Sequence, residues 1–522
     1  MQNDHNTAEH IKERLTNKLD VLRERIAKGE TIAWEDRVQV AVLADSPTVV
    51  TGFGNVCREI LTNLYATGLY AFEIVGINYD GSPHDLPFRI HPAMNALIQD
   101  PAYREPYGRQ KFLDILGEGR FDIAWVLQDS FIVCEELGQK IKETNDVLPV
   151  GDQFAFIYYF PIDATPKKKW IDGSAMVSDI PVVYTEYGFN EVLKLYHVDE
   201  NTKLKPEEQE KNKADYENIQ KRLSVVYHGV NTKDFYPLED EFKVNELRSA
   251  LWGKHKDKFV FINVNRNQPR KDLYRTLQAF KILLEKRRAK GKDDVYLYMH
   301  CNIFDNNLNM IDMCKQLNLV EGDEWGYPDP SKFGPSSGFP INVLNDIYNA
   351  ADAVVSTTLG EGWGLSITEG MAVKKPVIAP DHTSISEILG KTSAGTGERG
   401  VLVKTMGEFV QQHDNSRARP ITDPYDMADK MEMVVENREA LQPMVDSAYA
   451  WVNRLKWDGE DVIGKWIVLF DAAYRVALVR RAVEADKEIA KKIKSEKIGR
   501  NEDCPACGTK VKYCRHGQMA GI

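Results

Sequence analysis

Cysteine is scarce in this chain and occurs in an odd number. There are seven cysteines in 522 residues. Four of them, Cys57, Cys134, Cys301 and Cys314, are scattered through apolar or helical segments. A secreted protein stabilised by disulfides would carry a denser, even-numbered set. The cysteine content therefore favours reduced thiols in a reducing compartment, which we take to be the cytoplasm.

Long apolar runs and an excess of basic residues are also missing. No stretch approaches the roughly 18 consecutive apolar residues that suggest a membrane span. Residues 1–15 are polar and lack the apolar segment of a secretory leader. We therefore expect no transmembrane segment and no secretory signal. Lys and Arg number 67 against 78 Asp and Glu, a net charge of −11, which excludes nucleic-acid binding through overall positive charge.

What the chain does have is an ordinary globular composition. Apolar residues make up 43% and charged residues 28%. That is enough apolar material to bury more than one hydrophobic core, and too much for a mainly disordered chain. The length fits several domains or two large ones.

Residues 1–33 are predicted to form one amphipathic helix. Its apolar positions, at spacings of three and four, are Ile11, Leu15, Leu19, Leu22 and Ile26. Such a stripe is typical of a helix that packs on the surface of its own domain. The same apolar stripe would also suit a helix that pairs two copies of the chain. A homo-oligomer formed through this helix is therefore the alternative interpretation.

From residue 38 onward, short β-rich segments alternate with helical segments in two successive series. Strand candidates in the first series are 38–45, 72–80, 121–129, 154–163, 181–188 and 224–230, and in the second 258–266, 295–302, 351–358, 375–380 and 400–403. Several are apolar on both faces, as in a parallel sheet covered by helices. The two series predict an α/β protein with two Rossmann-like, doubly wound domains at 34–235 and 236–456.

The C-terminal part divides into a long predicted helix, 457–497, and a short element, 498–522, with its own cysteines. That element contains Cys504, Cys507, Cys514 and His516. The first two have the spacing of a zinc knuckle, and all four together would complete a structural zinc site. A disordered tail and a redox-active cysteine pair are the alternatives.

The same region is basic, unlike the rest of the chain. Residues 475–516 contain 12 Lys and Arg against 6 Asp and Glu. A basic helix beside a zinc knuckle suits contact with a polyanion such as DNA. A solvated helix with charge pairs four residues apart explains the same pattern.

The strongest functional signal is a glycine-rich turn between a predicted strand and a predicted helix, TTLGEGWGLSITEG. Its glycines are Gly360, Gly362 and Gly364. Glycine allows the backbone to approach a ligand closely, and the start of a helix near Leu365 offers free N–H groups to a phosphate. Glu361 lies in the turn and Glu369 in the helix. One such carboxylate can accept two ribose hydroxyls while the other faces a sugar ring. A generic turn with two solvated glutamates is the plainer interpretation.

Two further loops follow predicted strands. The first loop places three cations, Arg266, Arg270 and Lys271, at the carboxyl edge of the second sheet. Such folds bind ligands at this edge, and cations there would neutralise a diphosphate.

The second loop contains Gly52 and Gly54, which form a tight turn after the first strand. This G-x-G lacks the third glycine of the dinucleotide fingerprint, which argues against a dehydrogenase.

These motifs together resemble those of retaining glycosyltransferases of the GT-B fold, close to the large family-four group called glycosyl transferases group 1. That family carries E-x-F-G-L-x-x-x-E. The matching residues here are Glu361, Gly364, Leu365 and Glu369, with Trp363 in the place of Phe. The family also carries G-R-x-x-x-x-K-G. Arg266 and Lys271 keep that spacing, whereas Asn265 and Asp272 replace the two glycines.

The resemblance implies a role for each matched residue. The implied catalytic residues are Glu361, Asp163, Lys271 and Arg266, and the implied donor-binding residues are Gly52, Phe53, Gly54, Arg266, Arg270, Lys271, Gly362, Trp363, Gly364, Leu365 and Glu369. Glu369 is expected to hold the ribose and Glu361 to lie beside the donor sugar. Arg266 and Lys271 are expected to neutralise the pyrophosphate without a metal. The resemblance implies that Asp163 lies near the anomeric carbon of the donor sugar. The plainer interpretation of Asp163 is a turn or cap residue.

The fold expected from the resemblance is GT-B, with two Rossmann-like domains facing a cleft and a C-terminal helix crossing back onto the N-terminal domain. The expected donor is a nucleoside-diphosphate sugar, and no cofactor is required for catalysis. DNA carrying a hydroxymethylated base, a protein, a glycan and a small metabolite all remain open as acceptors. A nucleotide-sugar epimerase, a phosphorylase and a catalytically silent sensor of nucleotide sugars are the competing interpretations.

Overall fold

The structure, a computed structural model, describes residues 18–94, 100–198, 204–332, 339–411 and 414–521. Two large parallel sheets carry the fold, one in each half of the chain. The GT-B architecture expected from the sequence, with helices on both faces of each sheet, is confirmed. The domain boundaries at 34–235, 236–456, 457–497 and 498–522 stay predictions.

The N-terminal sheet contains seven parallel strands in the order β3-β2-β1-β4-β5-β6-β7. They are β1 (Val38–Asp45), β2 (Tyr70–Ile77), β3 (Arg89–Pro92), β4 (Ile123–Leu127), β5 (Ala155–Phe160), β6 (Ile180–Val183) and β7 (Ser224–Val225). Strands β2, β4 and β5 are buried along their whole length. This burial explains why their sequences are apolar on both faces. Strand β3 was not predicted, because only four partly polar residues form it at the sheet edge.

The C-terminal sheet contains six parallel strands in the order β12-β9-β8-β13-β14-β15. The strands of this half are β8 (Phe259–Val264), β9 (Val295–His300), β10 (Phe304–Asp305), β11 (Leu308–Asn309), β12 (Trp325–Gly326), β13 (Ala353–Val355), β14 (Val377–Pro380), β15 (Val401–Val403), β16 (Thr405–Val410) and β17 (Ala418–Thr422). Two antiparallel hairpins, β10–β11 and β16–β17, stand outside the sheet. The sequence interpretation contained neither hairpin.

Helices connect most of the strands. The α-helices are Lys18–Ala27, Gly52–Ala66, Arg109–Gly117, Ser130–Val133, Leu137–Val147, Lys168–Asp172, Glu186–Lys194, Pro206–Arg222, Glu241–Trp252, Leu273–Ala289, Met310–Gln316, Ile341–Ala350, Leu365–Ala372, Thr383–Ile388, Pro424–Glu436, Arg438–Val452, Lys465–Ser495 and Arg515–Met519. We call Leu365–Ala372 the motif helix and Lys465–Ser495 the crossing helix. Apolar clusters fill the space under these helices, and one cluster runs through both halves of the molecule.

The crossing helix packs on the N-terminal sheet, as expected. In its first half, the fully buried apolar positions recur at helical spacing and are Trp466, Phe470, Ala473 and Ala477. The ring of Trp466 lies 4.7 Å from that of Tyr159 and 5.9 Å from that of Trp125. Ion pairs extend the contact, among them Arg481 to Asp122 at 3.0 Å. The helix therefore ties the C-terminal end of the chain to the first domain.

The N-terminal helix is described only from residue 18, so the predicted stripe positions Ile11 and Leu15 lie outside the described residues. Leu19 and Leu22 are buried in the large apolar cluster. Arg23 forms an ion pair with Asp471 of the crossing helix at 2.5 Å. The described part of this helix therefore packs on its own chain, and oligomerisation through it stays a prediction. Among the described residues, no helix is both long and apolar enough to cross a membrane.

Candidate active site

The glycine-rich turn joins β13 to the motif helix and lies where the two domains meet. Gly364 has a φ of 102°, in the left-handed region that favours glycine. At Gly360, an added Cβ would lie 2.0 Å from the carbonyl oxygen of Asp163, and at Gly362 it would lie 2.7 Å from Cβ of Pro161. These two glycines allow the turn to approach the loop after β5, in the other domain.

Glu361 is buried at the centre of a cluster of cations. Its Oε1 lies 2.5 Å from Nζ of Lys271, and its Oε2 lies 3.2 Å from the guanidinium of Arg270. Burial alone would raise the pKa of Glu361, but the charges of Lys271 and Arg270 outweigh it and hold the pKa at about 2. Burial lowers the pKa of Lys271 against the opposing attraction of Glu361. The structure thus brings together three of the predicted site residues.

The loop that carries Arg270 and Lys271 has Asp272 where the related motif has a glycine. A 3₁₀ turn, Pro269–Lys271, is followed by Asp272 at a φ of 46°, the left-handed conformation that glycine would take most easily. Asp is among the residues that tolerate this region. The carbonyl of Asp272 accepts a hydrogen bond from the Thr357 hydroxyl at 2.9 Å. Burial raises the pKa of Asp272 to about 6, against the pull of Arg275.

Asp163 follows β5 and faces three arginines of the C-terminal half. Its carboxylate lies 2.8 Å from Arg417, 3.2 Å from Arg419 and 3.6 Å from Arg270. Burial would raise the pKa of Asp163, but these three positive charges hold it at about 2. Asp163 is therefore an ionised bridge between the domains, a few ångströms from the cations that hold Glu361.

Glu369 lies on the motif helix, away from the cations. Its Oε2 accepts a hydrogen bond from the Tyr348 hydroxyl at 2.7 Å. Burial raises the pKa of Glu369 to about 7, and the hydrogen bond from Tyr348 opposes the rise only in part. The two glutamates of the motif consequently differ by several units in pKa, because one is surrounded by cations and the other by neutral groups.

Arg266 is set apart from this cluster. Its side chain is 61% exposed and pairs with Asp305 of the β10–β11 hairpin at 2.6 Å. The structure thus separates Arg266 from Lys271, although the sequence motif groups them. Arg270, between them in sequence, contacts Glu361 instead.

The glycine loop of the N-terminal domain faces the motif helix. The Thr51 hydroxyl accepts a hydrogen bond from the N–H of Gly54 at 2.9 Å and donates one to Asp45 at 2.6 Å. An added Cβ at Gly54 would lie 2.6 Å from a backbone oxygen, whereas at Gly52 it would lie 3.8 Å from Leu365 of the motif helix. Phe53, between them, packs against the large apolar cluster. The glycine loop of the N-terminal domain therefore lies next to the motif helix of the C-terminal half.

Trp363 is buried among aromatic rings. Its ring centroid lies 5.3 Å from that of Tyr227, 5.6 Å from that of His228 and 6.1 Å from that of Trp451. Tyr227 and His228 belong to the segment between the two sheets, and Trp451 belongs to the helix Arg438–Val452. Trp363 thus anchors the glycine-rich turn to the segment that joins the domains.

Sequence reasoning missed several residues that hold the glycine-rich turn. Thr383 has a φ of 51°, unusual for a β-branched residue, and its hydroxyl accepts a hydrogen bond from the N–H of Glu361 at 3.2 Å. The Ser384 hydroxyl donates to the carbonyl of Glu361 at 2.7 Å. Burial lowers the pKa of the adjacent His382 to about 4, so its imidazole is neutral. The local signal for this set is D-H-T-S directly after β14.

Arg417 and Arg419 were also missed. Both lie on or beside strand β17 of the β16–β17 hairpin, and both pair with Asp414 as well as with Asp163. Arg419 is only 1% exposed. The R-x-R spacing places both guanidiniums on one face of a strand, which was the available signal.

A second cluster of potential ligands lies at the C-terminal end of the chain. Its members are the four residues predicted to bind zinc, Cys504, Cys507, Cys514 and His516. One ligand atom from each lies within 4.8 Å of all the others. The structure therefore brings together every residue of this predicted set.

Comparison with known proteins identifies part of the chain. Residues 337–437 match the family described as glycosyl transferases group 1. An uncharacterised glycosyltransferase of Methanocaldococcus jannaschii is 26% identical over 173 residues, 32% of this chain and 38% of that protein. An alpha-1,3/1,6-mannosyltransferase of Dictyostelium discoideum is 25% identical over 197 residues, 34% of this chain and 44% of that protein. The chain thus spans about two fifths of the length of these curated relatives.

Solved structures match over most of the chain. Anabaena HepE, solved in complex with UDP and glucose, has a TM-score of 0.56 at 12% identity and covers 84% of this chain and 100% of its own. Sucrose-phosphate synthase of Thermosynechococcus elongatus has a TM-score of 0.59 at 14% identity, with the same coverage. At this identity the likeness concerns the fold. The chain is therefore a GT-B protein that resembles the family-four glycosyltransferases, and its residues 337–437 match the glycosyl transferases group 1 family.

Proposed function

We propose that this chain is a retaining glycosyltransferase that moves a hexose from a nucleoside-diphosphate sugar to an acceptor hydroxyl. The observation that carries the proposal is the pair Arg270 and Lys271, whose side chains are 30% and 14% exposed and contact Glu361 at the carboxyl edge of the C-terminal sheet. Glu361 contacts both cations, and Arg417 and Arg419 add two further positive charges around the neighbouring Asp163. A diphosphate at this edge would be attracted by these cations, and the helix N-terminus of the adjacent turn favours it.

The relatives support the donor class. HepE of Anabaena was solved with UDP-glucose as well as with UDP and glucose, and the group 1 match covers the glycine-rich turn and the motif helix of this chain. The glycine loop of the N-terminal domain also lies next to the motif helix, with Gly52 facing Leu365. A nucleotide sugar bound between this loop and the glycine-rich turn would have its diphosphate near Lys271 and its ribose near Glu369.

The chemistry follows from where charge develops. As the bond between the anomeric carbon and the leaving phosphate breaks, negative charge grows on the phosphate oxygens. Lys271 and Arg270 stabilise that charge because they are fixed before the reaction begins. This is our reason for proposing that the transfer needs no metal. In front-face transfer with retention, the departing phosphate takes the proton of the acceptor hydroxyl.

The two glutamates of the motif take different roles. Glu361 is ionised, and its contact with Lys271 fixes the carboxylate where the hydroxyls of the donor sugar would lie. Burial raises the pKa of Glu369 to about 7. Two ribose hydroxyls that donate to its carboxylate favour the ionised form. We assign Glu369 to the ribose on this ground.

We assign Asp163 a place beside the donor sugar, next to Gly360 and within the three arginines that face it. Its depressed pKa keeps it ionised at neutral pH, so it does not serve as a general acid. Its negative charge instead stabilises positive charge that develops at the anomeric carbon, while its arginine contacts hold the cleft closed.

The experiment is a donor screen followed by an acceptor screen. The purified protein is mixed with a panel of nucleoside-diphosphate sugars, and the shift in melting temperature and the slow release of nucleoside diphosphate are measured. One donor should stabilise the protein and be hydrolysed, and Lys271→Ala should slow the hydrolysis by roughly 100-fold or more. Mass spectrometry of mixtures with DNA, protein, glycan and small-molecule acceptors then identifies the product. Tight binding with no turnover on any acceptor would contradict the transferase and indicate a sensor of nucleotide sugars.

A further inference from the structure

The C-terminal element, residues 498–521, folds into a tight turn around its first cysteine pair. The N–H of Cys504 donates to the carbonyl of Thr509 at 2.8 Å, and the N–H of Gly508 donates back to the carbonyl of Cys504 at 2.9 Å. Gly508 has a φ of 66°, which closes the turn. This arrangement directs Cys504 and Cys507 toward the same point, as in turns that hold two thiolate ligands of one ion.

The second half of the set comes from the start of the helix Arg515–Met519. Cys514 precedes that helix and His516 lies in its first turn. Nδ1 of His516 lies 3.4 Å from Sγ of Cys504. A tetrahedral zinc ion with Zn–S near 2.3 Å and Zn–N near 2.0 Å requires about 3.5 Å between such atoms. This one pair of ligand atoms therefore already has the separation that a tetrahedral zinc ion imposes, and all four ligand atoms lie within 4.8 Å of one another.

His516 has a partner on its other ring nitrogen. Nε2 lies 3.0 Å from a carboxylate oxygen of Asp486, on the crossing helix. A metal-bound histidine commonly donates its remaining N–H to a carboxylate, which fixes the ring. Asp486 also forms an ion pair with Arg515 at 3.1 Å. The crossing helix thus supplies the group that orients one ligand.

This element has too small a core to fold by apolar burial alone. Its buried cluster consists of Ile493 of the crossing helix together with Cys504, Val511 and Cys514. Two of these four are cysteines. Units of fewer than about 40 residues usually need a disulfide or a metal. The seven cysteines are free thiols in this structure, and three thiolates with one imidazole form a donor set typical of structural zinc.

We propose that Cys504, Cys507, Cys514 and His516 bind one Zn²⁺, which fastens residues 498–521 to the outer half of the crossing helix. Each of the three thiols loses its proton to solvent when its sulfur binds the ion, and His516 binds through Nδ1. Four protein ligands leave no open position for a substrate, so the ion is structural. The inference is independent of the proposed glycosyl transfer.

Metal content of the full-length protein tests the proposal. Elemental analysis should find about one zinc per chain, and Cys507→Ser should lose most of it. The matched control is Cys134→Ser, which changes a thiol of the N-terminal domain that donates to the carbonyl of Phe131, and it should retain the zinc. A metal-free wild-type protein, iron in place of zinc, or a Cys504–Cys507 disulfide in the purified chain would overturn the proposal.

Two further measurements test the proposal even if Cys507→Ser fails to fold. Titration of the wild-type protein with a thiol-reactive mercurial should release zinc as three thiols react, and hydrogen exchange at residues 486–495 should increase after the metal is removed. Asp486→Asn should keep the full zinc content but lose it to a chelator about 10–100-fold faster, because all four ligands remain while the contacts of Asp486 with His516 and Arg515 are weakened. Zinc release that does not follow the modification of thiols, or unchanged exchange in the helix, would contradict the site or its fastening role.

Discussion

Asp163 of the N-terminal domain and Arg417 beside the β16–β17 hairpin meet at 2.8 Å across the cleft. The two residues are 254 positions apart in the sequence. Arg419 and Arg270 complete the set around the same carboxylate. One aspartate thus joins the two halves of the molecule at the edge of the proposed donor site.

Asp163→Asn should destabilise the protein, because three arginines would lose their shared negative partner. Breaking a buried ion pair costs about 3 kcal/mol. Since the pKa of Asp163 falls from 3.8 to about 2 on folding, its contribution is present above the unfolded value and is lost as the pH falls toward 2. Denaturant unfolding at pH 7 measures the loss of free energy. Asp458→Asn, which removes an exposed pair with Lys233, is the control and should cost less than about 1 kcal/mol. Equal effects of the two variants would contradict the bridge.

Lys271→Ala should lower turnover more than donor binding, because the charge on the leaving phosphate is larger in the transition state than in the bound donor. Removing one such positive contact lowers kcat by roughly 100-fold or more. Steady-state kinetics with the donor found by the screen measure both constants. Lys281→Ala, on the next helix and paired with Glu285, should leave both unchanged. A change confined to KM would argue against stabilisation of the leaving group.

Glu369→Ala should weaken donor binding by about 1.5–3 kcal/mol, the range for lost hydrogen bonds to a charged group. Calorimetry with the nucleoside diphosphate alone measures this loss, since the ribose is present without the sugar. Tyr348→Phe is a useful companion, because it removes the hydroxyl that contacts Glu369 and leaves the carboxylate in place. It should bind far better than Glu369→Ala. An unchanged affinity of Glu369→Ala for the nucleoside diphosphate would contradict the assignment of Glu369 to the ribose.

Donor affinity should rise with pH through neutrality. The pKa of Glu369 is about 7 without a ligand, and its ionised form is the one that accepts two ribose hydroxyls. Below that pKa the proton must leave before the ribose binds, so affinity should fall up to tenfold for each unit of pH. Calorimetry between pH 6 and 8 measures the slope. Glu369→Gln should show a flat profile, and an identical slope in that variant would assign the effect to another group.

Much of the fold was readable in the sequence, because its parallel strands are buried on both faces and therefore apolar. Strand β1 has the predicted bounds, and β14 and the motif helix begin close to theirs. The β16–β17 hairpin was missed because β16 is exposed along its whole length and shows no apolar alternation. Arg417 and Arg419 of this hairpin reach Asp163 only because the tertiary fold brings the hairpin next to the loop after β5.

The candidate site was likewise predicted in part from the sequence and in part missed. Glu361 and Lys271 were singled out from local motifs, and the structure places their side chains in contact. Arg266 came from the same motif but pairs with Asp305 at the surface, which no local pattern indicated. Asp272 replaces a glycine of the related motif and still takes a left-handed φ. The spacing of Arg266 and Lys271 in the sequence indicated a cationic loop. Which carboxylate each cation contacts depends on the tertiary packing.

The crossing helix has a consequence for how the protein is made. A chain synthesised from its amino end releases β1 to β7 from the ribosome long before Trp466 and Phe470 are available to cover Tyr70 and Trp125. Until then an aromatic face of the first domain stays open to solvent and to other nascent chains. The N-terminal domain therefore completes its core only after the crossing helix has been synthesised, and we expect chaperones that bind apolar surfaces to associate with ribosome-bound intermediates of this protein.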